Sequence, residues 1–125
     1  MKETITWDQV EAYINNVTCK IDRSKYSGIF TFPRGGLVLA TLLSYKLDLP
    51  ILMAPCDHCI IIDDICDSGI TMKKYSDLKD KKDYFITTFY VHESQLDESA
   101  EYLCNVDYYE RIKHDSWVEF PWEIV

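Results

Sequence analysis

Apolar residues recur along the first half of the chain with two different periods. Trp7, Val10, Tyr13, Ile14, Val17 and Ile21 fall at helical spacing behind the capping-box pattern Thr6-Trp7-Asp8-Gln9, which predicts an amphipathic helix. Ser27 to Phe32 (SGIFTF) is short, apolar and rich in β-branched and aromatic residues, and Pro33 stops it, so it reads as a buried strand. Gly35-Gly36 opens a second helix, Leu37 to Leu47, apolar nearly all round and therefore expected to be buried. Leu49 to Met53 and Cys59 to Asp63 predict two further strands, Ile70 to Leu78 a helix, and Tyr84 to Val91 another strand. Past Val91 the pattern weakens until the aromatic end, SWVEFPWEIV. Alternating strands and helices predict an α/β fold with a parallel sheet and helices on both faces, as one domain over residues 1–125. Ligands on such sheets bind where strand ends meet helix starts. Two loops occupy that position, Pro33 to Gly36 and Asp63 to Thr71.

Composition narrows the partners. With 47% hydrophobic residues the 125-residue chain can bury a core without staples. Lys and Arg number 13 against 21 Asp and Glu, for a net charge of −8. Such a surface repels nucleic-acid phosphates, so no nucleic acid is expected as partner. No apolar run is long enough for a bilayer, and the start MKETITWD lacks a signal-peptide core, so no membrane is expected either. The five cysteines, 19, 56, 59, 66 and 104, are an odd set among mostly apolar neighbours, which fits reduced thiols and a cytoplasmic protein. Cys56-Asp57-His58-Cys59 has zinc-like spacing, but no second pair stands near it.

The chemistry gathers in Cys59 to Thr71, CIIIDDICDSGIT. Two adjacent carboxylates, Asp63 and Asp64, are costly to hold together and call for hydroxyl donors, a metal or solvent. Ser68 and Thr71 supply hydroxyls, Gly69 permits a tight turn, and the free N–H groups of the coming helix face outward. Carboxylates for a diol beside a helix start for a phosphate suit a 5-phosphoribosyl group. An acidic turn with an N-cap serine, common in α/β proteins, is the alternative reading of the same residues.

This segment resembles the signature of the type I phosphoribosyltransferases: four hydrophobic residues, two acidic ones, a short stretch, then Thr/Ser-Gly-x-Thr. Its Asp67-Ser68-Gly69 is similar to the 6-oxopurine enzymes of that family, among them the bacterial xanthine-guanine and hypoxanthine phosphoribosyltransferases. Two more segments carry the likeness. Pro33-Arg34-Gly35-Gly36-Leu37-Val38 resembles their pyrophosphate-gripping Ser-Arg-Gly-Gly-Leu-Val loop, and Trp117-Val118-Glu119-Phe120-Pro121-Trp122-Glu123 resembles their Trp-Ile/Val-x-x-Pro-Trp-Asp/Glu segment. Ile5-Thr6-Trp7-Asp8 is similar to their start, and Asp107-Tyr108-Tyr109 to a segment of their hood.

The resemblance implies the type I phosphoribosyltransferase fold, a mostly parallel sheet flanked by helices with a small C-terminal hood. It implies Mg²⁺-dependent transfer of 5-phosphoribose from phosphoribosyl pyrophosphate to guanine, xanthine or hypoxanthine, by a homo-oligomer. Asp63 and Asp64 would hold the ribose hydroxyls and Mg²⁺. Asp67, Ser68, Gly69, Ile70 and Thr71 would cradle the 5′-phosphate, with Asp67 also the catalytic acid/base at purine N7. Arg34, Gly35 and Gly36 would bind pyrophosphate, through a non-proline cis peptide at Pro33–Arg34. Trp117 would stack on the purine and the backbone of Val118 would read its C2 group.

The sequence departs from that family at two places. Only Met53 to His58 (MAPCDH) stands where the family has a long mobile loop that closes over the reaction. Val91 falls where the family has the lysine that binds purine O6, with His92 one position on as a donor. These departures keep open a non-catalytic nucleotide or phosphoribosyl pyrophosphate binder of the same fold, or a different base. A dinucleotide fold is disfavoured, since no Gly-x-Gly-x-x-Gly follows the first strand.

Overall fold

The computed structural model describes residues 2–66, 70–92, 106–113 and 117–123. In chain order the elements are β1 (Lys2–Thr4), α1 (Trp7–Lys20), β2 (Gly28–Thr31), α2 (Leu37–Leu47), β3 (Cys59–Cys66), α3 (Ile70–Asp77), β4 (Tyr84–His92), β5 (Tyr108–Lys113) and β6 (Trp117–Glu119). The main sheet runs β2-β3-β4-β5 and every pairing in it is parallel. No helix among the described residues is long and apolar enough to cross a membrane.

Local chemistry accounts for the helices. Thr6 and Gln9 form the reciprocal capping box, Gln9 N donating to Thr6 Oγ1 at 3.2 Å and Thr6 N to Gln9 Oε1 at 2.9 Å. From that start Val10, Tyr13, Ile14 and Val17 turn inward and are buried. Trp7, first in the predicted stripe, instead lies half exposed against Trp122. The expectation of a buried α2 needs correcting. Leu39, Ala40, Leu43 and Leu47 are buried, but Tyr45 is 84% exposed, because among the described residues the helix packs mainly against β2, β3 and α1 and turns its other side outward.

Both faces of β3 are closed. Ile60 and Ile62 join α1, α2 and the hood residues Val118 and Phe120 in one core. Cys59 and Ile61 join Tyr75 of α3 in the other, with Tyr84, Ile86 and Val91 of β4. Double-sided burial explains why β3 reads as an unbroken apolar run rather than an alternating one.

Two predicted strands come out differently. Leu49 to Met53 is reduced to one parallel bridge, Ile29 to Ile51. Ile29 N donates to Pro50 O at 2.9 Å and Leu52 N to Ile29 O at 2.8 Å, and there the pairing stops. Pro50 offers no N–H, and the chain must turn back at once to reach Cys59. β3 in turn runs past Asp63 to Cys66, so the acidic pair lies within a strand. The hood is also not C-terminal alone. β1 and β6 form a two-stranded parallel sheet joining Lys2–Thr4 to Trp117–Glu119, extended by Ile5 N donating to Glu119 O at 2.8 Å. Phe120 then stacks on Trp122 at 4.7 Å between ring centroids.

Candidate functional site

Unequal strand lengths create the site. β2 pairs with β3 only as far as Thr31 opposite Ile62, whereas β4 follows β3 to Cys66. From Asp63 onward the β2-facing edge of β3 is therefore not covered by a strand. The loop after β2 fills that position. Its Pro33–Arg34 peptide bond is cis, as the resemblance implies. The loop closes on itself through Gly36 N donating to Phe32 O at 3.3 Å and Leu37 N to Arg34 O at 3.0 Å, and then enters α2.

Both glycines are required by close approach. A Cβ at Gly35 would stand 2.3 Å from Asp64 Oδ2, and one at Gly36 would stand 2.0 Å from Thr31 Oγ1. Thr31 in turn donates to the buried Ile62 carbonyl at 2.7 Å, tying the end of β2 to β3 just before the carboxylates. The anion-type loop and the acidic pair, twenty-seven residues apart in number between Gly36 and Asp63, thus form one surface. Arg34 is exposed on it.

Each carboxylate accepts from the backbone N–H of the next residue. Asp63 Oδ1 accepts from Asp64 N and Asp64 Oδ1 from Ile65 N, each at 2.8 Å. Burial first, and the neighbouring Asp64 charge second, raise the Asp63 carboxyl to about 8. Among the described residues no group of three metal-ligating side chains forms. Two carboxylates facing an anion-type loop fit Mg²⁺, which takes one or two carboxylates and completes its shell with water and substrate phosphates. Beneath Asp63, Thr87 Oγ1 donates to Tyr108 O at 2.9 Å, so the buried Tyr13 hydroxyl donates to Thr87 at 2.7 Å. Burial above all raises the Tyr13 phenol, and the Asp63 charge adds to it.

The remaining sequence-predicted residues divide. Asp67, Ser68 and Gly69 lie outside the described residues, between the end of β3 and the start of α3. Ile70 and Thr71 begin α3 and Trp117 begins β6, with their side chains outside what is described. Val118 is buried, and it pairs with Glu3. Successive peptide groups of a strand point to opposite sides. Because Glu119 O accepts from Ile5 N, just past β1, the N–H and C=O of Val118 point away from β1. Val91 is fully buried in the core on the α3 face, so its side chain is no substitute for a ligand. His92 ends β4, its side chain outside the described part.

Asp57 and His58, which close the short Met53–His58 segment, lie at the far end of the sheet. His58 O accepts from Ser27 N at 2.8 Å and Asp57 Oδ1 from Asp83 N at 2.7 Å. Ser27 and Asp83 immediately precede β2 and β4, opposite the ends near the carboxylates. Sequence reasoning missed Thr31 and Tyr13 as supports of the site, counting the first as strand and the second as core stripe. A threonine directly before an aromatic-Pro-Arg-Gly-Gly turn was the available signal for the first.

Known proteins resemble this chain along most of its length. The chain matches no protein-family model. It is 26% identical to the xanthine-guanine phosphoribosyltransferase of Vibrio vulnificus, over 98% of this chain and 90% of that protein. It is 21% identical to the enzyme of that name from Chromohalobacter salexigens, over 97% and 83%. Among solved structures, the purine phosphoribosyltransferase from Pyrococcus horikoshii superposes with a TM-score of 0.74 at 25% identity, covering 99% of this chain and 95% of that one. This chain has the type I phosphoribosyltransferase fold. Helicobacter pylori xanthine-guanine-hypoxanthine phosphoribosyltransferase shares that fold with a TM-score of 0.68 at 17% identity, over 99% and 93%. The phosphoribosyltransferase fold thus spans almost the whole chain, and these similar proteins are phosphoribosyltransferases by name.

Proposed function

We propose that this protein is a Mg²⁺-dependent purine phosphoribosyltransferase acting on phosphoribosyl pyrophosphate and a 6-oxopurine. The observation that carries the reading is the contact of Gly35 with Asp64, which brings a loop built for an anion against a carboxylate pair built for a diol. In the reaction the bond from ribose C1′ to pyrophosphate breaks, the C1′–N9 bond forms, and the purine ring gives up a proton. Arg34 and the amides of Gly35 and Gly36 hold the departing pyrophosphate. Asp63 and Asp64 orient the ribose hydroxyls and hold Mg²⁺, which when bound neutralises the diphosphate charge. Asp67 to Thr71 seat the 5′-phosphate, with Asp67 taking the ring proton. Trp117 stacks on the base while the outward peptide groups of Val118 read its edge. His92 stands in for the absent lysine at O6.

Protein with Mg²⁺ and phosphoribosyl pyrophosphate should convert guanine, xanthine or hypoxanthine to its monophosphate with release of pyrophosphate. Asp67→Asn should lose most of that rate while keeping donor affinity. No product from any of the three bases at high protein concentration would refute the reading. The shortness of Met53 to His58, whose Asp57 and His58 are held at the end of the sheet away from the carboxylates, favours one alternative, a nucleotide or phosphoribosyl pyrophosphate binder without turnover. Calorimetric binding of either ligand alongside absent product would select it.

A further inference from the structure

Two cysteines unused by that chemistry sit at the opposite end of β3 from the carboxylates. Cys56 and Cys59 bracket Asp57 and His58, and those two middle residues form a turn. His58 adopts a φ of 60°, a left-handed conformation uncommon for residues other than glycine. The reversal is pinned from outside: His58 Nδ1 lies 3.1 Å from Asp83 Oδ2, and Asp57 Oδ1 accepts from Asp83 N. A four-residue turn keeps its end Cα atoms within about 7 Å, close to the ~4.4–6.8 Å over which disulfides form. The two residues also act on each other electrostatically, the Cys56 backbone N–H lowering the Cys59 thiol and the Cys56 thiol raising it. Cys59 is fully buried, Cys56 is exposed with its sulfur 3.4 Å from the Ser27 hydroxyl, and both are free. A metal explanation lacks ligands, since no group of three forms among the described residues.

We propose that Cys56 and Cys59 are a redox-active dithiol that exchanges with low-molecular-weight disulfides, Cys56 attacking and Cys59 resolving. The Cys56 thiolate attacks one sulfur of the incoming disulfide and displaces one thiolate, leaving a mixed disulfide on Cys56. The Cys59 thiolate then attacks Cys56 Sγ and expels the second thiolate. The protein loses two hydrogens, and the external disulfide leaves as two thiols. The exposed and buried positions suit these roles: of the two, Cys56 is open to a reagent, and Cys59, at the other end of the same turn, is shielded from one. Burial pushes the Cys59 thiol up to about 11, while the Cys56 N–H works in the other direction. The resolving step therefore speeds up as pH rises. This inference is independent of the transferase reading.

The test equilibrates the full chain in glutathione buffers from reducing to oxidising, blocks remaining thiols by alkylation, and maps the peptides by mass spectrometry. Oxidation should remove two hydrogens from the peptide holding Cys56 and Cys59, protect both from alkylation, and reverse with dithiothreitol. Cys59→Ser should instead stop at a glutathionyl group on Cys56. Cys56→Ser, at an exposed position, should leave Cys59 a thiol in every buffer, which keeps the test decisive should Cys59→Ser fail to fold. Both sulfurs alkylated in the most oxidising buffer would overturn the proposal. A lasting glutathionyl on wild-type Cys56, or Cys56 joined to another cysteine, would do the same.

Discussion

Replacing the two loop glycines one at a time should separate binding from stability. At Gly35 an added methyl would stand 2.3 Å from Asp64 Oδ2 and 2.8 Å from Asp64 Cγ. Ordinary contact begins near ~3.5 Å, so the loop or the carboxylate must shift by about 1 Å. Asp64 is only half-buried and its bond is to the next N–H, so it can give way at a cost of about 1 kcal/mol or less. A displacement of that size at a site that positions substrate costs roughly 10²-fold in turnover. At Gly36 the methyl would instead meet Thr31 Oγ1 at 2.0 Å, and Thr31 is buried. Moving that hydroxyl orphans the buried Ile62 carbonyl, which costs about 1–3 kcal/mol, and overpacking adds a similar amount. With roughly 3–6 °C of melting temperature per kcal/mol at this size, Gly36→Ala should melt about 10 °C lower or more. Gly35→Ala should stay near wild type but lose donor affinity and rate. Thermal melts paired with calorimetric titration of phosphoribosyl pyrophosphate and Mg²⁺ read both quantities. Adding Thr31→Ala to Gly36→Ala removes the clashing oxygen and should recover ~1 kcal/mol or more relative to additivity. Equal melting losses for the two alanine variants, or full donor affinity in Gly35→Ala, would show that the reasoning is wrong.

Other consequences follow from single residues. Asp63 has a folded-state pKa raised above its unfolded value, so its contribution to stability is present at acid pH. That contribution is lost as pH climbs toward about 8. Without divalent cations the melting temperature should fall over that window more steeply in wild type than in Asp63→Asn, and Mg²⁺ should offset the loss; parallel pH profiles would contradict this. Tyr13→Phe removes the donor to buried Thr87 and should lower stability by about 1 kcal/mol in denaturant titrations, with m unchanged. Val91→Lys restores the family's residue type but places an ammonium in the core beside Tyr75 and Ile86. It should destabilise by about 3 kcal/mol or more and give no gain in oxopurine affinity, measured by melts and base titration.

Legibility followed the range of each interaction. The α1 start was readable because Thr6 and Gln9 satisfy each other three residues apart. The acidic pair stood out because adjacent carboxylates directly after a buried apolar run need hydroxyl donors, a metal or solvent to be tolerated. β5 was not, since Tyr108–Lys113 mixes aromatics and charges, and only its pairing with β4 makes it a strand. β1 escaped notice for the same reason, its partner β6 lying at the other end of the sequence. Val91 illustrates a subtler limit. Simple alternation from Phe89 would put both on one face, yet Phe89 and Tyr90 share the hood-side core and Val91 joins the other. The Leu49–Met53 run had the right composition but lacked donors and length, which only the return path to Cys59 makes evident.

The early end of β2 has an engineering consequence. β3 overhangs it by the four residues from Asp63 to Cys66, about 13 Å of strand edge at ~3.3 Å per residue. The room that the Pro33–Gly36 loop occupies is fixed by how far one strand falls short of its neighbour, not by any side chain. Lengthening β2 by two residues would carry its backbone alongside Asp63 and Asp64 and displace the loop with main-chain pairing. Every residue assigned a role would still be present, and the protein would have exchanged a loop for a longer sheet.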